Sequence, residues 1–212
     1  MAHISSIAAA MFTDLAVAIG TTTGGIAGNP APATLNQAGF DALFTTTSAT
    51  ALKYLQVSNV REFPAVGTPS NIVNVPVFGQ RQSQTIGGQA DAPTLDVTIN
   101  YVPNDWAKGS TSTTWAANVV ATKGTELANM VSDGKSRAWR MALLAAQPTG
   151  ATLGPTQSQY DSNAGGLGKV ENSVFYWMGK IESLLITPSL TDATQATLSF
   201  SIQSDFYGPY TN

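Results

Sequence analysis

The sequence predicts a mainly β fold, a sandwich or barrel-like domain, on three observations. Residues 94–102 and 194–205 alternate apolar and polar side chains with a period of two, as strands with one face on a core do. Thr, Ser and Val are abundant, and the branched residues among them lose χ1 freedom in helices and suit pleated strands. Charged residues are only 11% of the 212, against about 25% in an ordinary soluble domain, which implies a surface largely covered by partners.

In chain order, an amino-terminal arm and assembly segment, 1–53, precedes a single β domain, 54–212. Within the arm, the apolar run 7–19 predicts a short helix and 38–44 a short amphipathic helical turn. Gly24-Gly25 and Asn29-Pro30 break any regular element in the intervening 20–34. Residues 54–63 read as one strand, ended by Pro64 and Gly67, and 72–78 as a second apolar run. The next stretch, 79–93 (GQRQSQTIGGQADAP), has no hydrophobic periodicity and reads as a long exposed connection.

In 94–102, Leu95, Val97, Ile99 and Tyr101 share one face, and Thr94, Asp96, Thr98 and Asn100 the other. A turn at Pro103-Asn104-Asp105 and a Ser/Thr-rich connection lead to helix signals over 122–131. Thr122 or Thr125 is a candidate N-cap, Glu126 lies in the first turn, and Leu127, Met130 and Val131 form an apolar stripe. Asp133-Gly134 closes this helix and opens a strand over 136–145. Residues 147–168 form a long excursion poor in hydrophobics, a surface loop or a partner contact.

Strand 173–187 carries large residues on both faces, Phe175 and Trp177 against Tyr176 and Met178, so both faces are expected to be covered. Strand 194–205 sets Ala196, Leu198, Phe200 and Ile202 against Gln195, Thr197, Ser199, Ser201 and Gln203. That polar face is neutral, whereas exposed strands often carry Lys or Glu that discourage edge pairing. It fits either the wall of a water-filled channel or a solvent-facing strand with few charges.

Several functions are excluded or disfavoured by residue type. With no cysteine there is no disulfide framework, thiolate chemistry or cysteine-ligated metal, and the one histidine, His3, sits beside the amino terminus. The net charge is −3 and the ten Lys and Arg are scattered, so no basic patch for nucleic-acid readout emerges. The run 7–19 lacks a basic n-region and contains Thr13 and Asp14, so neither export nor membrane insertion is signalled.

The run 165–170 superficially matches a phosphate loop, but Asn163 stands where its first Gly belongs and Val170 replaces the magnesium-binding hydroxyl. Asp91, Asp96 and Asp105 lack the spacing of a calcium loop, and no spacing rule pairs Glu171 with Glu182 as acid and base. No catalytic, metal or cofactor site is assigned. Trp139 and Trp177 lie within strands and favour the core, while Trp106 and Trp115 flank the Ser/Thr-rich connection and favour an interface.

The stretch 79–93, with its Arg81-Gln82 and Gly87-Gly88-Gln89-Ala90-Asp91, followed by TLDVTINYVPND, resembles the loop, strand and turn of phage tail tube proteins. The helix near 126–131, the strand 138–144 and the terminal GKIESL and ATLSFSI segments continue that resemblance over 54–206. The resemblance implies a β-sandwich flanked by one helix, forming hexameric rings that stack into a hollow, β-barrel-lined tube through which genomic DNA passes. It implies as partners other copies of the chain and tail components such as tape measure, terminator and tip proteins, with DNA only in transit. The virion tail, assembled in the host cytoplasm, is the implied location.

On that resemblance, Asp96, Thr98, Asn100, Gln195, Thr197, Ser199, Ser201 and Gln203 are the candidate lumen-lining residues. Arg81, Gln82, Gln84, Gln89, Trp106 and Trp115 are candidates for the contact between rings. The rival expectation is a carbohydrate- or receptor-binding β-sandwich in which Trp106, Trp115 and Tyr160 stack on a ligand.

Overall fold

The computed structural model describes residues 13–18, 31–44, 54–57, 60–67, 72–76, 78–79, 81–82, 84–87, 94–101, 127–143 and 173–210. The fold is mainly β. Among the described residues ten strands occur, in the order β1 (Thr13–Ala18), β2 (Tyr54–Val57), β3 (Val60–Glu62), β4 (Ile72–Val75), β5 (Gln84–Gly87), β6 (Thr94–Asn100), β7 (Arg137–Leu143), β8 (Ser173–Thr187), β9 (Gln195–Ile202) and β10 (Tyr207–Tyr210). Helix α1 (Gln37–Phe44) follows β1, and helix α2 (Leu127–Asp133) precedes β7.

The main sheet runs β2-β1-β7-β8-β9-β6-β3, with β10 pairing β8. Its two outer strands, β2 and β3, are neighbours in sequence, with two residues between Val57 and Val60. Three peptide steps of 3.8 Å hold those Cα atoms within about 11 Å of each other, so a sheet with them at opposite edges must roll up. The result is a nearly closed barrel. The single strand expected over 54–63 is therefore corrected: it is two strands at opposite edges, and the short break between them joins those edges.

One set of alternating residues fills the barrel. Leu15, Val17, Val57, Leu95, Val97, Ile99, Met141, Leu198, Phe200 and Ile202 are all buried in one cluster with Trp139, Trp177 and Met130 of α2. Trp139 packs edge-on against Phe200 at 4.6 Å, and its indole N–H donates to the Gly179 carbonyl at 3.1 Å. Both strand tryptophans lie in the core, as their positions imply.

The opposite face of β1, β7 and β8 is covered by α1. Ala16, Ala18, Ala138 and Ala142 present small side chains there, and Phe40 and Phe44, one helical turn apart, descend onto them and onto Tyr176. Phe40 stacks on Tyr176 at 5.2 Å and meets Tyr207 of β10 at 5.4 Å. The Arg140 guanidinium lies 5.0 Å from the Phe44 ring centre. Strand β8 is thus buried on both faces along its first half, as its two-sided run of large residues predicts.

Local chemistry starts and stops each helix. The Asn36 side chain accepts the Gly39 N–H at 2.9 Å and caps α1, and a Cβ at Gly39 would lie 2.1 Å from the Thr34 carbonyl oxygen. Gly134, at φ +60°, ends α2 in the left-handed region. Asp133 accepts the Lys135 N–H at 3.0 Å and pairs with the buried Arg137, fixing the entry to β7. The proposed N-caps Thr122 and Thr125 lie outside the described residues.

Two further expectations are corrected. The run 7–19 holds a strand, β1, inserted between β2 and β7, rather than a helix: Leu15 and Val17 face the barrel while Ala16 and Ala18 face α1. With both faces buried, the segment shows no amphipathic alternation to distinguish it from a helix. The supposed connection 79–93 contains β5, which pairs antiparallel with β4 as a separate hairpin, Val73 opposite Ile86. Ile86 is its one large apolar residue, too little to register as a strand pattern.

Candidate assembly surface

Strands β6, β9 and β8 turn one face to the barrel core and the other outward. Their pairing arranges the outward side chains in four rows: Thr94, Ser201 and Lys180; Asp96, Ser199 and Ser183; Thr98, Thr197 and Leu185; Asn100, Gln195 and Thr187. Seven of the eight residues expected on a polar wall stand together here. The eighth, Gln203, lies exposed just past the end of β9, its N–H donating to the Met178 carbonyl at 2.8 Å.

The contribution of β8 is the part sequence reading missed. A bulge between Ile181 and Ser183 inserts Glu182 and shifts the phase of the strand, so both Lys180 and Ser183 face outward. A strict period of two carried past residue 181 puts the second half of β8 on the wrong face. The bulge also makes room for an ion pair, Lys180 Nζ to Glu182 Oε1 at 3.0 Å. Among the twelve outward positions in the four rows, only Asp96 and Lys180 are charged.

Among the described residues no strand pairs along most of either flank of this face, although helix α2 lies against β8. Strand β7 pairs with residues 173–179 of β8, so from Lys180 to Thr187 the side away from β9 meets no strand among the described residues. Strand β3 pairs β6 at Thr98 and Ile99, and among the described residues no strand pairs Thr94 to Val97 on that outer side. Because β6 and β8 are each antiparallel to β9, their two free edges run in the same direction.

The β8–β9 turn is held firmly. Ser189 Oγ accepts the N–H groups of Thr191 and Asp192 at 3.3 and 3.0 Å, and Asp192 bonds Arg61 of β3 at 3.1 Å. Leu190 at its apex and the flanking Leu185 and Ile186 are exposed. The β4–β5 hairpin exposes Val73, Ile86 and Phe78, with Arg81 and Gln82 exposed near its tip. Gln84 pairs with Val75 through the backbone, while Gln89, Trp106, Trp115 and Tyr160 lie outside the described residues.

No family model and no curated protein matches the chain. Among solved structures the chain is similar to the SPP1 tail tube, determined by solid-state NMR and electron cryo-microscopy. The TM-score is 0.43 at 11% identity, over 95% of this chain and 80% of that one.

Proposed function

We propose that the chain is a structural virion protein whose copies join as hexameric rings and stack into the hollow tail tube of a bacteriophage. One observation carries the reading: a nearly neutral polar face three strands wide, bounded on both sides by free strand edges of matching direction. Such a unit is made complete by repetition. The β6 edge of one copy adds to the β8 edge of the next, satisfying backbone groups that would otherwise stay unpaired, until the sheet closes on itself.

Strand spacing supports a ring of six. Strands about 4.8 Å apart, tilted about 40°, give six copies of a three-stranded unit a barrel about 36 Å between opposing backbones. After side chains take about 10 Å, a DNA duplex roughly 20 Å wide passes; four copies leave only about 14 Å and block it. The wall then carries Thr98, Asn100, Gln195, Thr197, Ser199 and Ser201, with Asp96 at one flank and Gln203 at the mouth. Hydroxyls and amides hydrate the channel without holding phosphates, and the one cation on this face, Lys180, is paired with Glu182 at 3.0 Å, which weakens its hold on DNA.

The β4–β5 hairpin reaches from one ring to the next. A two-stranded hairpin is at best marginally stable alone, and this one exposes Val73, Ile86 and Phe78 where a stacked copy would cover them. Arg81, Gln82, Gln84 and Gln89 supply polar contacts at that wet boundary. Tape measure, terminator and tip proteins complete the tail in the host cytoplasm.

Electron microscopy of the purified chain tests the reading directly. Hollow tubes or rings with a central channel are expected. A protein that remains monomeric by microscopy and sedimentation at high concentration overturns it.

A further inference from the structure

We infer that Lys180 of one copy pairs with Asp96 of the next, and that this pair between copies sets the register of the seam. The inference rests on the ring reading above and adds to it a specific partner for each free edge. Lys180 lies at the start of the free edge of β8, and Asp96 lies on the free edge of β6. They are the charged members of the four outward rows, with Glu182 beside Lys180 at the bulge, and they are opposite in sign, on opposite flanks and pointing to the same side of the sheet. A second copy is the one occupant that presents both edges with this charge complementarity.

The geometry favours a staggered seam. Within one copy Lys180 is in the first row with Thr94, and Asp96 is in the second with Ser199. Bringing Asp96 of a neighbour beside Lys180 offsets the neighbour by one row, two residues along the strand. A closed barrel of tilted strands requires some stagger between copies, and an offset at the seam contributes to it. Lys180 is only partly exposed and already meets Glu182 at 3.0 Å, leaving ammonium donors for a second carboxylate. So neutralised, the one cation of the wall offers no free charge to a passing phosphate.

Charge reversal tests the pairing with the full chain. Asp96→Lys places like charges across every seam, and Lys180→Glu does the same while also losing the contact to Glu182. Each single variant is expected to stay folded by circular dichroism and to lose at least tenfold in assembled fraction by sedimentation and microscopy. The double variant, with both charges exchanged, is expected to assemble again. Mixing the two single variants is also expected to restore rings, because a head-to-tail ring with an even number of copies can alternate them so that every seam joins opposite charges.

Single variants that assemble like the parent overturn the pairing and leave the ring reading standing. Singles that fail and are rescued neither by the double variant nor by mixing also overturn it. A parent chain that never forms rings overturns both.

Discussion

The Tyr176 hydroxyl on β8 donates a hydrogen bond to Asp41 on α1 at 2.5 Å, joining residues 135 apart in sequence. Around it Phe40 and Phe44 pack against the same ring, so α1 is fastened by aromatic contact and one charge-assisted bond together. The amino-terminal segment is bound to the barrel through this joint and through β1.

Tyr176→Phe keeps the packing and removes the bond. It is expected to destabilise the protein by about 1–2 kcal/mol, the range for a hydrogen bond to a charged group that keeps some solvent contact. Burial pushes the Tyr176 phenol well above its usual range, and Asp41 adds to this against the opposing charge of Arg140. With the folded value raised, the stability from neutral Tyr176 is complete below about pH 10 and is lost as the pH rises beyond it. Urea unfolding at pH 7 and pH 11 should show the advantage of the parent over the variant shrinking at high pH. An advantage that is constant or grows would exclude this account.

Asp133→Asn tests a buried charge, that of Arg137. Arg137 is 2% exposed and depends on Asp133, which it meets with Nη1 at 3.0 Å and with a second, shorter contact from Nη2. Leaving the guanidinium without its carboxylate is expected to cost about 2–3 kcal/mol, less than a fully buried pair because Asp133 retains some solvent contact. Burial raises the Asp133 carboxyl, but the Arg137 bond, the Lys135 N–H and both positive charges outweigh it and hold it below the usual carboxylate range. The contribution is therefore present above about pH 4 and is lost as the pH falls through the lowered value. Thermal melts from pH 7 to pH 2 should show parent and variant converging; parallel curves would count against the pair.

The strands of the polar face were legible because one of their faces is buried and the other wet: Leu95, Val97 and Ile99 alternate with Thr94, Asp96 and Thr98 without interruption. What escaped reading has physical causes. Strand β1 alternates between two buried faces, Val17 in the barrel and Ala16 under α1, so its pattern carries no polarity. Ser58-Asn59, residue types common in turns, separates β2 from β3, but nothing in 54–63 announces that its halves pair at opposite edges of a rolled sheet. The outward side chains of β8 are hidden by the Glu182 bulge, which only pairing with β9 reveals.

If the polar face lines a channel as proposed, three lysines on it should convert a passive channel into a binding one. Thr98 and Thr197 face each other across β6 and β9, and Ser199 lies in the adjacent row. In the proposed tube, replacing all three with Lys would put cations in the path of DNA, and each phosphate held would steepen the salt dependence of binding by about 0.9 in log–log slope. Variant tubes are expected to retain short duplex DNA at 50 mM salt and release it by 200 mM, while parent tubes retain none. Intact variant tubes that bind no more DNA than the parent would remove these residues from the lumen.

The exposed apolar side chains of the β4–β5 hairpin separate folding from stacking. Phe78 projects fully into solvent, and Val73 and Ile86 form a half-exposed cross-strand pair. Because none of them is in the barrel core, Phe78→Ser with Ile86→Thr should leave the unfolding free energy within about 0.5 kcal/mol of the parent. The same surface, buried between rings, would contribute roughly 25 cal/mol for each Å² covered, repeated around the ring. Folded rings that no longer form tubes are therefore expected by electron microscopy. Tubes of unchanged length would place the stacking contact elsewhere on the subunit, and a large loss of folding stability would mean that the hairpin supports its own domain.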